Sequence, residues 1–161
     1  MISKQFIQNI IKEELSNLNI FLIDLQINSS NSIKILLDSE KGVKISECAK
    51  ISKSIEHQID REKEDFDLEV SSYGVFSPFK ILLHYKKNLG KEVEVFLVEG
   101  QNFKGVLNKF ETLEDNETVS SLEISQKKKK KIEGKKKKIE VEEIININIE
   151  KIKKIRLVPK F

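Results

Sequence analysis

Tryptophan is absent from this chain and cysteine occurs once, at Cys48. A lone thiol excludes an internal disulfide and fits a reducing compartment. His57 and His84 are the only histidines. With neither at ligand spacing, a structural zinc site lacks ligands. Six glycines include no phosphate-cradling loop and no dinucleotide-binding pattern. No apolar run approaches the ~20 residues of a membrane helix, and the N-terminus lacks a signal-peptide layout. Arginine is scarce too, with Arg61 and Arg156 the only two among 29 basic residues. Little is left for catalysis, metal or cofactor. These absences imply a soluble, cytoplasmic protein that works by contact, and it is expected to be monomeric.

What is present is charge, unevenly spread. Residues 127–161 carry 14 Lys/Arg against 5 Asp/Glu, a surplus of nine positive charges. Residues 1–126 carry 15 against 21, a surplus of six negative ones. A basic tail on an acidic body can meet a polyanion and a basic protein at once.

The hydropathy pattern divides the chain into two halves. Phe6, Ile7, Ile10, Ile11, Leu15 and Leu18 recur at helical spacing behind a Ser3 cap. Strands over 21–28 and 33–37 follow, then a helix to about Asp60 capped by Ser46 and a strand over 66–70. This α-β-β-α-β order predicts a three-stranded sheet with two helices, KH-like in character, over 1–84. Residues 81–89 read as a short helix that ends at Gly90 and runs into a linker at 85–90. Beyond it the period changes to two. Five short strands, with a helical turn at 150–153 before the last, predict a five-stranded SH3-like or Sm-like barrel over 91–161. The fold class is α+β.

Three groups of residues could make contacts. Lys127, Lys128, Lys129, Lys130, Lys131, Lys135, Lys136, Lys137 and Lys138 flank Glu133-Gly134. This spacing predicts a lysine-rich hairpin at 126–138, a protruding and flexible arm that grips phosphate with little sequence specificity. Lys50, Lys53, His57 and Arg61 fall on one face of the second helix, which reads as a solvated helix back or as a secondary phosphate contact. Glu92, Glu94, Glu99, Glu111, Glu114, Asp115 and Glu117 cluster early in the barrel and suit a basic protein. His84 reads as a linker or interface residue and Cys48 as a small core residue.

A fourth element is the strand end Leu68-Glu69-Val70-Ser71-Ser72-Tyr73-Gly74, followed by Pro78. Read alone, it exposes backbone N–H groups and two hydroxyls at a turn. Gly42, Val43, Ile45, Cys48 and Ser52 stand before it at fixed spacing. Together these residues resemble the signature of the bacterial ribosome maturation factor RimP family, across essentially the whole chain. Tyr73 replaces a family proline, Val75-Phe76-Ser77 replaces Leu-Asp-Arg, and Lys53 replaces an arginine. The resemblance implies an N-terminal α/β domain and an Sm-like barrel. It also implies a non-enzymatic factor for assembly of the small (30S) ribosomal subunit. Such a factor binds immature subunits and helps a basic ribosomal protein near the decoding centre to join. The lysines would then grip ribosomal RNA and the glutamates the ribosomal protein, while the Ser71-Ser72-Gly74 turn would set the domain pose or add N–H contacts. A general Sm-like RNA-binding regulator and a hydrolase using Ser71 or Ser72 are the competing expectations.

Overall fold

The computed structural model describes residues 2–131, 133–134 and 137–159. Lys135, Lys136 and the side chain of Lys130, among the expected RNA contacts, lie outside the described residues. The chain forms two compact units, Met1–Gly74 and Val75–Phe161.

In the first unit, Ser3 Oγ accepts the Phe6 N–H at 3.1 Å and starts α1 (Lys4–Leu18). Asn19 ends it in the left-handed region (φ 55°), where its short polar side chain is tolerated. Ile7, Ile11 and Leu15, one turn apart, are its buried stripe. β1 (Phe21–Ile27) and β2 (Ser32–Asp38) pair antiparallel. Asn28 Oδ1 organises their loop by accepting the N–H groups of Ser30 and Ser32. The second helix, α2 (Ile45–Gln58), starts one residue before the expected Ser46 cap. There the Glu47 carboxylate accepts the Lys44 N–H at 2.9 Å. From α2 the chain crosses to β3 (Asp67–Ser72), which pairs parallel to β2 and completes the order β1-β2-β3. Ile33, Ile35 and Leu37 project from one face of β2 into a core shared with Ile7, Ile11, Ile51 and Ile55. Each such burial contributes roughly 1.5–3 kcal/mol against chain entropy.

The second unit begins earlier than the boundary at residue 84 expected from sequence. Phe79 and Leu82 pack with Tyr85 in its core, and the Phe79 N–H donates to Ile155 O at 2.8 Å. Tyr85 meets Phe79 edge-on at 5.2 Å between ring centroids. The helix expected over 81–89 is α3 (Leu82–Lys87), and it belongs to this core rather than to a linker. Then come β4 (Glu92–Leu97), β5 (Asn102–Thr112), β6 (Val119–Lys131), β7 (Lys138–Asn148), a 3-10 turn (Ile149–Lys151) and β8 (Ile152–Leu157). All pair antiparallel in the order β7-β6-β5-β4-β8.

Five strands and a helical turn before the last match expectation, but closure into a barrel does not. The Val98 N–H donates to Lys151 O at 2.9 Å, and β8 then lies along β4 instead of β7. Among the described residues the sheet is therefore open, with β7 and β8 at its two edges.

Candidate nucleic-acid interface

The lysine segment is not a loose arm. Lys127 to Lys131 continue β6 and pair with β7 in register, Lys127 opposite Glu142 and Lys129 opposite Glu140. The β5 ladder stops at Val106 opposite Ser125, so from Gln126 outward β6 pairs with β7 alone. Six residues at ~3.4 Å each make a two-stranded ribbon roughly 20 Å long. Gly134, at φ +84°, forms the expected tip with Glu133. Strand alternation puts Lys127, Lys129 and Lys131 on one face and Lys128 on the other. Carboxylates temper part of this charge: Lys128 Nζ lies 3.0 Å from Glu143 and Lys127 Nζ 3.9 Å from Glu140. Residues 126–143 still hold nine lysines against four glutamates. Lys129, Lys131, Lys137 and Lys138 are exposed. Such a ribbon presents many ammonium groups to a polyanion at little further ordering cost.

On α2, Lys50, Lys53 and His57 are exposed along one face, as expected. Arg61 is not in that stripe. Its Nη1 donates to Phe66 O at 2.8 Å, its guanidinium lies 4.1 Å from the Phe66 ring centroid, and Glu56 and Asp65 pair with it. It closes the loop before β3. With two carboxylates already on it, it has little charge to offer RNA.

The expected acidic surface is dispersed. Glu99 sits at the β4–β5 turn, whereas Glu111, Glu114 and Asp115 sit at the far end of β5. Asp115 builds the β5–β6 turn by accepting from Thr118 Oγ1 and from the Thr118 and Glu117 N–H groups, and these bonds lower its pKa. Glu92 is half-buried on β4. Glu94, also on β4, accepts Arg156 Nη2 at 2.8 Å and Asn102 Nδ2 at 2.9 Å. The Arg156 hydrogen bond, ahead of the Asn102 bond and the nearby Lys104 charge, holds the Glu94 carboxyl below its ordinary 4.5 despite burial. A lowered carboxyl stabilises the fold above its unfolded pKa, and that stability is lost as pH falls through the folded value. Urea titrations between pH 3 and 7 should show Glu94→Gln less stable than wild type at neutral pH, with the difference vanishing in acid. A gap independent of pH would remove the ion pair from the account.

Within the Leu68 to Gly74 element the strand runs on through Ser71 and Ser72, and only Tyr73 and Gly74 lie beyond it. Ser71 and Ser72 pair with Leu36 and Leu37, and the Tyr73 N–H donates to Leu37 O at 2.7 Å. Because N–H groups alternate in a strand, those of Val70 and Ser72 point to the open edge of β3. Leu68 and Val70 pack on the first core while Glu69 is exposed. Gly74 ends the first unit and Pro78 lies in the second. His57 is exposed on α2, and His84 is buried in the second unit, where its Nδ1 accepts the N–H groups of Lys80 and Ile81. Burial, then the Glu47 carboxylate, raises the Cys48 pKa above the ordinary thiol value, away from that of an activated nucleophile. Among the described residues no group of His, Cys, Asp or Glu is placed to hold a metal ion, and no helix is long and apolar enough to cross a membrane.

One cluster was not anticipated. Phe96 on β4 faces Lys154 on β8, with Nζ 4.5 Å from its ring centroid and the Arg156 guanidinium carbon at 5.3 Å. The alternation Lys154-Ile155-Arg156 was its only local signal; the pairing with β4 comes from far along the chain.

Comparison with known proteins supplies the family. The RimP N-terminal domain family matches residues 10–75. The ribosome maturation factor RimP of Christiangramia forsetii is 51% identical over 79 residues, 49% of this chain and 52% of that protein. That of Flavobacterium psychrophilum is 44% identical over 96 residues, 59% of this chain and 62% of its own length. That of Porphyromonas gingivalis (strain ATCC 33277) is 38% identical over 107 residues, 66% and 70% of the two chains. The aligned region thus spans from 52% to 70% of these relatives' own length.

Proposed function

This chain belongs to the RimP family, and from that premise we propose that it is a non-enzymatic maturation factor of the small (30S) ribosomal subunit. It binds the immature subunit in the cytoplasm as a monomer and aids entry of a basic ribosomal protein near the decoding centre. The observation that carries this reading is the β6–β7 ribbon, whose lysines suit the phosphates of ribosomal RNA. Lys50 and Lys53 on α2 add a weaker contact of the same kind. The five-strand succession with its 3-10 turn supports reading the second unit as Sm-like in character. For the basic protein, Glu99, Glu111, Glu114 and Glu117 remain exposed candidates, since Glu94 is bonded to Arg156 and Asp115 to its own turn.

A general Sm-like RNA-binding regulator is the alternative. The ribbon alone suits it equally, because phosphate contacts carry no sequence information. A pull-down from lysate at low salt separates the two. The proposed function predicts that one basic small-subunit protein is retained together with its RNA, and that Glu99→Gln, Glu111→Gln and Glu114→Gln combined release it. Retention of diverse RNAs without that protein would favour the regulator.

A further inference from the structure

We propose a second RNA-binding surface, separate from the ribbon, on the outward face of β5, β4 and β8. There Phe96 stacks an unpaired base while Lys104 and Lys154 hold the flanking phosphates. In the ladders Glu94 lies opposite both Lys104 and Arg156, and Phe96 lies opposite both Asn102 and Lys154. These side chains therefore share one face, opposite the one that buries Val93, Val95 and Ile155. Lys104 and Lys154 are exposed and Phe96 is half-buried, with the Lys154 ammonium 4.5 Å from its ring centroid, so a base gains the ring as that ammonium moves to the flanking phosphate.

Glu94 does not spoil the site for an anion, because its charge is taken up by Arg156 and Asn102. In return it fixes the Arg156 guanidinium beside the ring, a positioning role. One ammonium group over an aromatic ring, with a second lysine on the same sheet face, matches what binds single-stranded RNA without sequence preference. The base stacks on the ring, and the lysines act as point charges on the backbone. The ribbon has no aromatic residue between 126 and 143 and cannot stack a base. The two surfaces would divide the work, one for duplex phosphates and one for an unpaired nucleotide.

This inference takes RNA as the ligand, as the proposed function does, but needs neither the ribbon nor a ribosomal subunit. The test uses the full chain and short oligonucleotides, pentaadenylate and pentauridylate. Because the chain has no tryptophan, Phe96→Trp creates a single reporter at the site. Saturable quenching of its fluorescence by either oligonucleotide is expected. Phe96→Leu, which keeps apolar bulk on the sheet, should weaken pentaadenylate binding about 5- to 100-fold. Lys154→Gln should weaken it further, and quenching should persist when Lys127, Lys129 and Lys131 are glutamine. Oligonucleotide binding seen by anisotropy, without quenching and unaffected by Phe96→Leu, would overturn this site and leave the ribbon standing. So would failure of both oligonucleotides to bind at low salt while the protein still associates with subunits.

Discussion

Replacing Lys127, Lys128, Lys129 and Lys131 together by glutamine is expected to weaken binding to small-subunit RNA and to flatten its salt dependence. Each phosphate neutralised contributes roughly 0.7–0.9 to the slope of log affinity against log salt. Four contacts therefore change affinity by roughly 50- to 150-fold between 50 and 200 mM salt, and the variant should lose most of that dependence. Lys127 and Lys128 already lean on Glu140 and Glu143, so Lys129 and Lys131 should account for the larger share. Substitution is preferable to excision. Removing residues 127–138 would strip the outer half of β6 and expose the β7 backbone, confounding lost charge with a damaged sheet. An unchanged slope in the substituted protein would leave the ribbon with no part in RNA binding.

Gly105→Ala should unfold the second unit preferentially. A Cβ at this position would lie 2.4 Å from Ile124 Cγ2 and 2.7 Å from the Ser125 carbonyl oxygen. Neither can yield. Ile124 is fully buried and the carbonyl belongs to the neighbouring strand's backbone. β5 would have to separate from β6 at the place where Gly105 also pairs with Val93 of β4. Overpacking of this severity costs about 3 kcal/mol or more, a large part of the stability of a small domain. Amide hydrogen exchange resolves the effect by unit. Protection in β4, β5 and β6 should collapse, while that in α1, α2 and β2 should hold. Undiminished protection in β5 would mean the strands accommodate a methyl group, and the close approach would carry no weight.

Elements governed by local pattern were readable from the chain alone. Ser3, the Ile7-Ile11-Leu15 stripe and Asn19 define α1 within its own sequence. Gly134 between two lysine runs marks a hairpin tip. What depends on distant pairing was not readable. Ser71-Ser72 has turn chemistry, yet β2 alongside draws both residues into a parallel ladder. The lysines suggested a flexible arm because like charges repel in isolation. Glu140 and Glu142, facing them across the ladder, make a strand tenable. Arg156 and Glu94 are 62 positions apart, and only the β4–β8 pairing brings them together, so Glu94 read as a free acid when it is a bonded one. Arg61 at helical spacing suggested a solvated stripe, but the loop carbonyl of Phe66 and the Phe66 ring hold it instead. Openness of the second sheet follows from where the 3-10 turn delivers β8, which no local residue pattern encodes.

Binding to a small subunit still under construction is most directly tested by sedimenting cell lysate through a sucrose gradient and following the protein across the fractions. The account predicts co-migration with free small subunits and absence from complete ribosomes. An even spread over every ribosomal fraction, or recovery only at the top of the gradient, would contradict it.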